Sequence, residues 1–597
     1  MKHLSRLLPY YTPYRADLFG GLVLVVVSTA MTSVIPWILR LAIDGVRTGA
    51  TVRSTVVLAA EIVAVAVFAG FLRYAMREIL NRVSRNIEYD LRNDLFSHLT
   101  TLDASWYART RTGDIMARLT NDLGAVRMAA GPAIMYLVNT VAGALFALVF
   151  MLRIDVRLTV LALLPMIALP AITAYLGGAI HRRFEAVQEH FSTLTTHAQE
   201  NLTGTRIVRA YRQERAEIAR FGELNDEYME RNMSLARLYG TMHPMFALLA
   251  GIAGVVVLGL GGLLVLRGTI SVGSFVAFGL YLGLLTWPLI ALGWVINLFQ
   301  RGNASLLRLT EILDARSVIV DADVTTHLPP AEGGRSIEFR NVGFHYPVSA
   351  GNAPRWVLRN VSFTIVAGST LGVVGATGSG KTALMDLIPR LHDPQEGEIL
   401  IDGVPIRNIP VHELRREIGF VPQESLLFSD TIGANLGYGA NDSSAVEWAA
   451  QTAQLAETIE SFPGKDETML GERGINLSGG QKQRASLARA LARMPSIVLL
   501  DDALSAVDTH TEAEILRALG DALIKRTAVI ASHRVSAIRD AAWIIVLDEG
   551  HIVEQGLHDQ LMMAEGRYWT LLRRQQLVES IESAEEHPLI LEGTGGE

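Results

Sequence analysis

The sequence predicts a six-helix transmembrane domain with long cytoplasmic helical extensions, fused to an α/β domain built around a phosphate-binding loop. Three observations carry this reading. Six apolar, nearly uncharged runs crowd into roughly the first half of the 597 residues. Beyond residue 336, short β-rich runs alternate with helical ones. One of those strands opens directly into a glycine-rich loop that is followed by a helix.

A chain of 597 residues is too long for one core, and 50% hydrophobic residues is high for a soluble protein. There is no cysteine, which excludes disulfides, thiolate metal sites and cysteine nucleophiles. Lysine is confined to Lys2, Lys381, Lys465, Lys482 and Lys525, so arginine carries nearly all the positive charge. A net charge of -7 argues against a nucleic-acid partner.

The apolar runs cover residues 18–39, 54–72, 128–152, 158–180, 245–266 and 275–299. Each can cross about 30 Å of hydrocarbon at about 1.5 Å per helical residue. The first is too long for the core of a signal peptide, and no small-residue cleavage site follows it. Connections 40–53, 153–157 and 267–274 are short; 73–127 and 181–244 are long and rich in arginine. The positive-inside rule therefore puts the long connections and both chain ends in the cytoplasm. Residues 88–99 and 217–231 are helix formers, so the membrane helices are expected to run on for several turns, with loop tips near 106–113 and 210–217.

Residues 2–15, with Tyr10, Tyr11 and Tyr14 among basic residues, read as an interfacial helix on the cytoplasmic leaflet. Glu61 is the one acid inside a run; it either serves function or faces a water-filled cavity or partner helix. Pro36, Pro165, Pro170 and Pro288 read as kinks. The cavity such helices would enclose is expected to be apolar, without a charge cluster.

A polar segment with Pro329-Pro330 and Gly333-Gly334 marks a boundary. The expected division is 1–316 transmembrane, 317–335 linker, 336–576 nucleotide-binding and 577–597 acidic tail. Expected strands at 336–344, 369–374, 398–401, 418–421, 497–500, 528–531 and 544–547 make a mainly parallel sheet. The strand at 370–374 enters Gly375-Ala376-Thr377-Gly378-Ser379-Gly380-Lys381-Thr382. Glycines there let backbone N–H groups wrap phosphates, Lys381 supplies a compact charge, and the Thr382 hydroxyl suits Mg2+. The apolar run 497–500 ends at Asp501, a carboxylate fit for Mg2+ at the tip of a buried strand.

Five further motifs stand in order: Tyr346, Gln423 in Val-Pro-Gln-Glu, Leu477-Ser478-Gly479-Gly480-Gln481, Ser505-Ala-Val-Asp508, and His533 in Ser-His-Arg. The set resembles ATP-binding-cassette (ABC) proteins: an adenine-stacking aromatic, the Q-loop, the signature motif, the D-loop and the switch histidine. Residues 111–122, 200–210 and 287–301 look like segments of ABC exporters, so the resemblance covers nearly the whole chain. It implies ATP and Mg2+ as cofactors, with Thr382, Gln423 and Asp501 at the metal. It implies that two halves dimerise, each ATP lying between one half's phosphate loop and the other's Ser478–Gln481 motif. It also implies that the loop tips are coupling helices resting on the ATPase domains.

One position departs from the pattern. The residue after Asp501 is Asp502, where the family carries glutamate to polarise the attacking water. Aspartate is one methylene shorter, and a misplacement of about 1 Å can cost about 10²-fold in rate. This resembles the impaired half of heterodimeric bacterial exporters. The expected partner is a second, different half-transporter, with a homodimer as the alternative. The expected cargo is a hydrophobic or amphipathic small molecule, lipid or peptide; import on the same fold and an ATP-gated channel stay open.

Overall fold

The computed structural model describes residues 2–323, 325–331, 333–347, 354–440 and 442–586. Most of the expected acidic tail, 587–597, lies outside them. The chain forms two compact units: Met1–Thr100 with Thr112–Ala315, and Thr101–Arg111 with Arg316–Glu597.

The first unit is all helical. Its main helices are α1 (Arg15–Arg47) and α2 (Val52–Leu99), then α4 (Leu123–Ala130), α5 (Pro132–Ile154), α6 (Val156–Thr203), α7 (Glu214–Val256) and α8 (Val272–Leu313). The short helix between, α3 (Ala104–Arg109), belongs to the second unit. At 48 residues, α2 and α6 are each about 72 Å long, more than twice the hydrocarbon thickness. Over the described residues, four helical segments are long and apolar enough to span: His3–Arg47, Val52–Leu99, Thr112–Ile154 and Glu214–Leu266. Helices α6 and α8 contribute the shorter apolar stretches Val156–Met166 and Val272–Leu285 over the described residues.

Short connections work because the first residue outside each helix caps it. The side chains of Thr51, Asp155 and Ser271 accept from the backbone N–H of Ser54, Leu158 and Ser274, satisfying donors that a helix start leaves open. Asp44 closes the end of α1 onto α8, accepting from Gly273 N at 2.8 Å and from Ser271 Oγ at 2.5 Å.

At the other end, packing follows the helical period. Met76, Leu80, Val83, Ile87, Leu91, Leu95 and Leu99 form one buried stripe on α2. Where helices touch, side chains vanish: a Cβ on Gly302 of α8 would come within 2.3 Å of Ala129 Cβ on α4. The same contact is locked by charge. Arg308 grips both oxygens of buried Asp122, which also accepts from Ser305 Oγ at 2.9 Å. Burial alone would raise the Asp122 pKa, but the bonds from Arg308 and Ser305 outweigh it and hold the group below the ordinary carboxylate range.

One expectation gains detail and one changes. Residues 2–15 bond to protein through their tyrosines: Tyr10 and Tyr14 donate to Asp94 and Asp90 of α2 at 2.7 and 2.9 Å, and Tyr11 donates to Ala130 O. Tyrosine can present a polar tip to an acidic helix and an apolar body to lipid at once, so these bonds leave the interfacial reading in place. The helices also line a cavity that is not purely apolar. Arg73, Arg77, Asn139 and a row of hydroxyls line it.

The second unit has two sheets rather than one. A four-stranded antiparallel sheet has the order β2-β1-β4-β5, from β1 (Ile337–Phe344), β2 (Leu358–Ile365), β4 (Glu396–Ile401) and β5 (Val404–Pro405). A six-stranded sheet has the order β10-β9-β3-β8-β7-β6, from β3 (Thr370–Gly375), β6 (Ile418–Val421), β7 (Ile497–Asp501), β8 (Thr527–Ser532), β9 (Trp543–Asp548) and β10 (His551–Gly556). All its pairings are parallel except β9–β10. The strands expected at 336–344 and 398–401 thus pair antiparallel in the other sheet. β7 is fully buried, which is why it reads as a continuous apolar run.

The α4–α8 contact yields a test. Gly302→Ala is expected to cost about 1–3 kcal/mol through overpacking, seen as a lower melting temperature in detergent. Adding Ala129→Gly should restore most of the loss, because the two changes meet at one contact. Additive losses in the double variant would refute this account.

Candidate nucleotide site

Four neighbouring parallel strands end at one edge of the six-stranded sheet, and each delivers a piece of the site. The crevice outside the carboxyl ends of such strands is where this kind of fold binds ligands. β3 leads into the glycine-rich loop and then α9 (Lys381–Leu387). β8 leads to His533, β7 ends on Asp501 and runs into Asp502, and β6 lies two residues before Gln423.

The loop needs its glycines for conformation. Gly378 and Gly380 have φ of +84° and +105°, which side-chain-bearing residues rarely adopt. Lys381 is folded into the loop, its Nζ donating to Gly375 O at 2.8 Å and Ala376 O at 3.2 Å. Burial lowers its pKa, against the opposing pull of Asp502 and Asp501. Ser379 Oγ is buried within the loop without a hydrogen-bond partner.

A cavity of about 430 Å³ collects Tyr346, Thr377, Gly378, Gly380, Lys381, Thr382, Gln423, Asp502 and His533. Gly375, Ser379 and Asp501 lie in the loop and strand ends that build it. Tyr346 stands against Phe344 and edge-on to His392, with ring centroids 5.0 and 5.5 Å apart. It is 40% exposed, so it still offers surface to a base.

Asp501 is 0% exposed, and neither carboxylate oxygen has a hydrogen-bond partner. Burial pushes its pKa up, and the adjacent Thr382 hydroxyl opposes this. A buried carboxylate without partners fits a cation, and magnesium there would neutralise charge on phosphate oxygens. Asp386, one helical turn into α9, has its pKa raised to about 6 by burial and the charge of Asp501. No motif singled it out, since an acid in a helix carries no signal of depth.

Asp502 is engaged from two sides. Its Oδ1 accepts from His533 N at 3.0 Å and from the His533 ring, in the tautomer protonated at Nδ1, at 2.8 Å. Its backbone sits in the left-handed region at φ +46°, and its N–H donates to Ala531 O.

The signature residues stay out of this cavity. Ser478, Gly479, Gly480 and Gln481 form the start of α10 (Gly479–Ala492), where Ser478 and Gln481 make reciprocal capping bonds. A Cβ on Gly480 would meet Ala506 O at 2.8 Å. Gln483 of the same helix donates to Ser505 Oγ at 2.9 Å and accepts from Ala506 N at 2.8 Å, tying α10 to the loop after β7. Helix α3 also belongs to this unit: Asp103 caps it and accepts from Val318 N, and Ser105 Oγ lies 3.0 Å from Nδ1 of buried His392.

Residues 18–289 match the family model described as ABC transporter transmembrane region, and residues 358–505 the one described as ABC transporter. A Bacillus subtilis protein named probable multidrug resistance ABC transporter ATP-binding/permease protein YheI is 40% identical over 82% of this chain and 83% of its own length. The chain belongs to the ABC transporter family. Other relatives of this ABC transporter are similar almost end to end. The multidrug resistance-like ATP-binding protein MdlA of Escherichia coli is 34% identical over 98% of this chain and 99% of its own. The ATP-dependent lipid A-core flippase of Syntrophus aciditrophicus is 34% identical over 96% and 94%. A solved bacterial Atm1-family ABC exporter with ATP bound superposes with a TM-score of 0.76 at 28% identity, covering 94% of this chain and 98% of that one. This ABC transporter therefore has the exporter architecture, with its membrane helices and ATPase domain in one polypeptide.

The loop geometry predicts the outcome of removing its cation. Lys381→Ala should weaken binding of a fluorescent ATP analogue by about tenfold or more, since charge-assisted bonds to phosphate are among the strong ones. Unchanged affinity would show that the loop is not the phosphate site.

Proposed function

We propose that this chain is one half of an ATP-driven exporter of hydrophobic or amphipathic compounds, working as a heterodimer in which its own ATP site hydrolyses slowly. The exporter architecture and the multidrug and lipid-flippase names of its relatives support export. In this reading residues 1–316 cross the cytoplasmic membrane with both ends inside, 317–335 link them to the nucleotide-binding domain 336–576, and 577–597 form an acidic tail. Tyr346 stacks on adenine. The Gly375–Thr382 loop holds the phosphates, and Thr382, Gln423 and Asp501 hold Mg2+.

The observation that carries the slow site is Asp502. It is an aspartate where the family has glutamate, and its Oδ1 is drawn to His533 by both the backbone N–H and the ring. A carboxylate one methylene short and held from that side is poorly placed to orient water over the γ-phosphate. His533 and Gln423 then serve to bind and sense nucleotide more than to speed its cleavage. The sound Ser478–Gln481 motif is lent to the ATP held on the partner's phosphate loop.

ATP turnover of the purified chain, alone and with a second half-transporter carrying glutamate, tests this. The lone chain should hydrolyse slowly, and Asp502→Glu should raise turnover at its own site by about tenfold to a hundredfold, the scale set by a misplacement of about 1 Å. Brisk turnover by the lone chain that vanishes in Asp502→Ala would overturn the slow-site reading and leave a homodimer. Inside-out vesicles separate the directions: ATP-dependent accumulation means export, ATP-dependent loss means import, and passive flux gated by ATP means a channel.

A further inference from the structure

The cavity among the membrane helices holds about 580 Å³ between α1, α2, α5 and α8. Arg73 and Arg77 of α2 line it, with no carboxylate among the described lining residues. Neither arginine makes an ion pair among the described residues, although most arginines on the extended part of α2 do: Arg82 pairs with Glu78, and Arg85 and Arg92 with Glu88. The two positions are one turn apart, so both guanidinium groups serve one face.

The depth of that face matters. Arg73 Nη2 donates to Thr32 Oγ1 at 3.0 Å, and Thr32 lies inside the apolar run 18–39. A cation at membrane depth is costly and is a functional-site hypothesis by default. The cavity is also built to hold polar groups: Thr29 Oγ1 donates to Asn139 Oδ1 at 2.9 Å, and both line it. Met76, Met135, Leu284 and Pro288 add apolar surface to the same lining. Two guanidiniums without an ion-pair partner, in a lining that also offers apolar surface, match an amphiphile with an anionic head.

We infer that this cavity is an anion subsite in which Arg73 and Arg77 take the phosphate or carboxylate head of an amphipathic ligand. The inference rests on the proposed export of amphipathic compounds and names the charge class that the export pathway selects. A lipid head group and a soluble amphiphile present the same chemistry to the two arginines.

Equilibrium binding to the full chain in phosphatidylcholine nanodiscs tests the subsite without reference to transport. The probes are decyl phosphate and decyltrimethylammonium, matched in chain and opposite in charge. Wild-type protein should bind decyl phosphate about tenfold or more tighter than the cation. The Arg73→Gln/Arg77→Gln variant should lose that preference, and Arg73→Lys/Arg77→Lys should keep part of it. Fluorescent-ATP affinity should stay unchanged in every variant, reporting an intact fold. Adding phosphatidylglycerol to the discs identifies the source: competition with decyl phosphate that needs both arginines means a lipid head group fills the subsite. No charge preference in the wild type, or a preference that survives the double Gln change, would overturn the proposal. Failure of the export assays with the preference intact would count against export alone.

Discussion

The ATPase unit is organised around a charge that it cannot satisfy by itself. Asp501 ends a strand whose residues are all buried, and its carboxylate has the Thr382 hydroxyl beside it but no full hydrogen bond. Burying an ionised carboxylate without a partner is among the most expensive things a fold can do. Burial therefore raises the Asp501 pKa, and Lys381 is bonded to the carbonyls of its own loop. A divalent cation held by Asp501 and Thr382 would supply the missing positive charge and neutralise phosphate oxygens, and Lys381 would be available to the phosphates.

The same strand edge links the separate nucleotide loops mechanically. Gln483 bonds to Ser505 and Ala506 in the turn after β7, which ties the start of α10 to that loop. Arg534, next to His533, pairs with buried Glu512 at 2.6 Å and also donates to Ser505 O. His533, in turn, is held to Asp502. Side-chain bonds thus join the start of α10, the loop after β7 and the segment after β8.

What was legible in the sequence was whatever a single stretch of backbone imposes. Gly378 and Gly380 stand where φ is positive, and the strand–loop–helix order around them is local. The membrane runs are legible because hydrocarbon thickness sets their length. What stayed hidden depends on distant pairing. β2 joins β1 and β1 joins β4 in a separate antiparallel sheet, and nothing in a short β-rich run says which sheet will take it. Arg73 reads as the charged flank of a span, yet its long side chain reaches Thr32 on another helix. The bonds from His533 to Asp502 cross between two strands and leave no trace in either motif.

Helix α3 carries a consequence for how the chain is made. Its Ser105 meets His392 across 287 residues of sequence. At about 5–20 residues per second, the ribosome releases α3 roughly 15 to 60 s before the residues that receive it. During that interval the helix has no docking surface, and only Asp103, its own cap, is in place to hold it. A nascent chain arrested before the ATPase half emerges would carry α3 without its His392 partner.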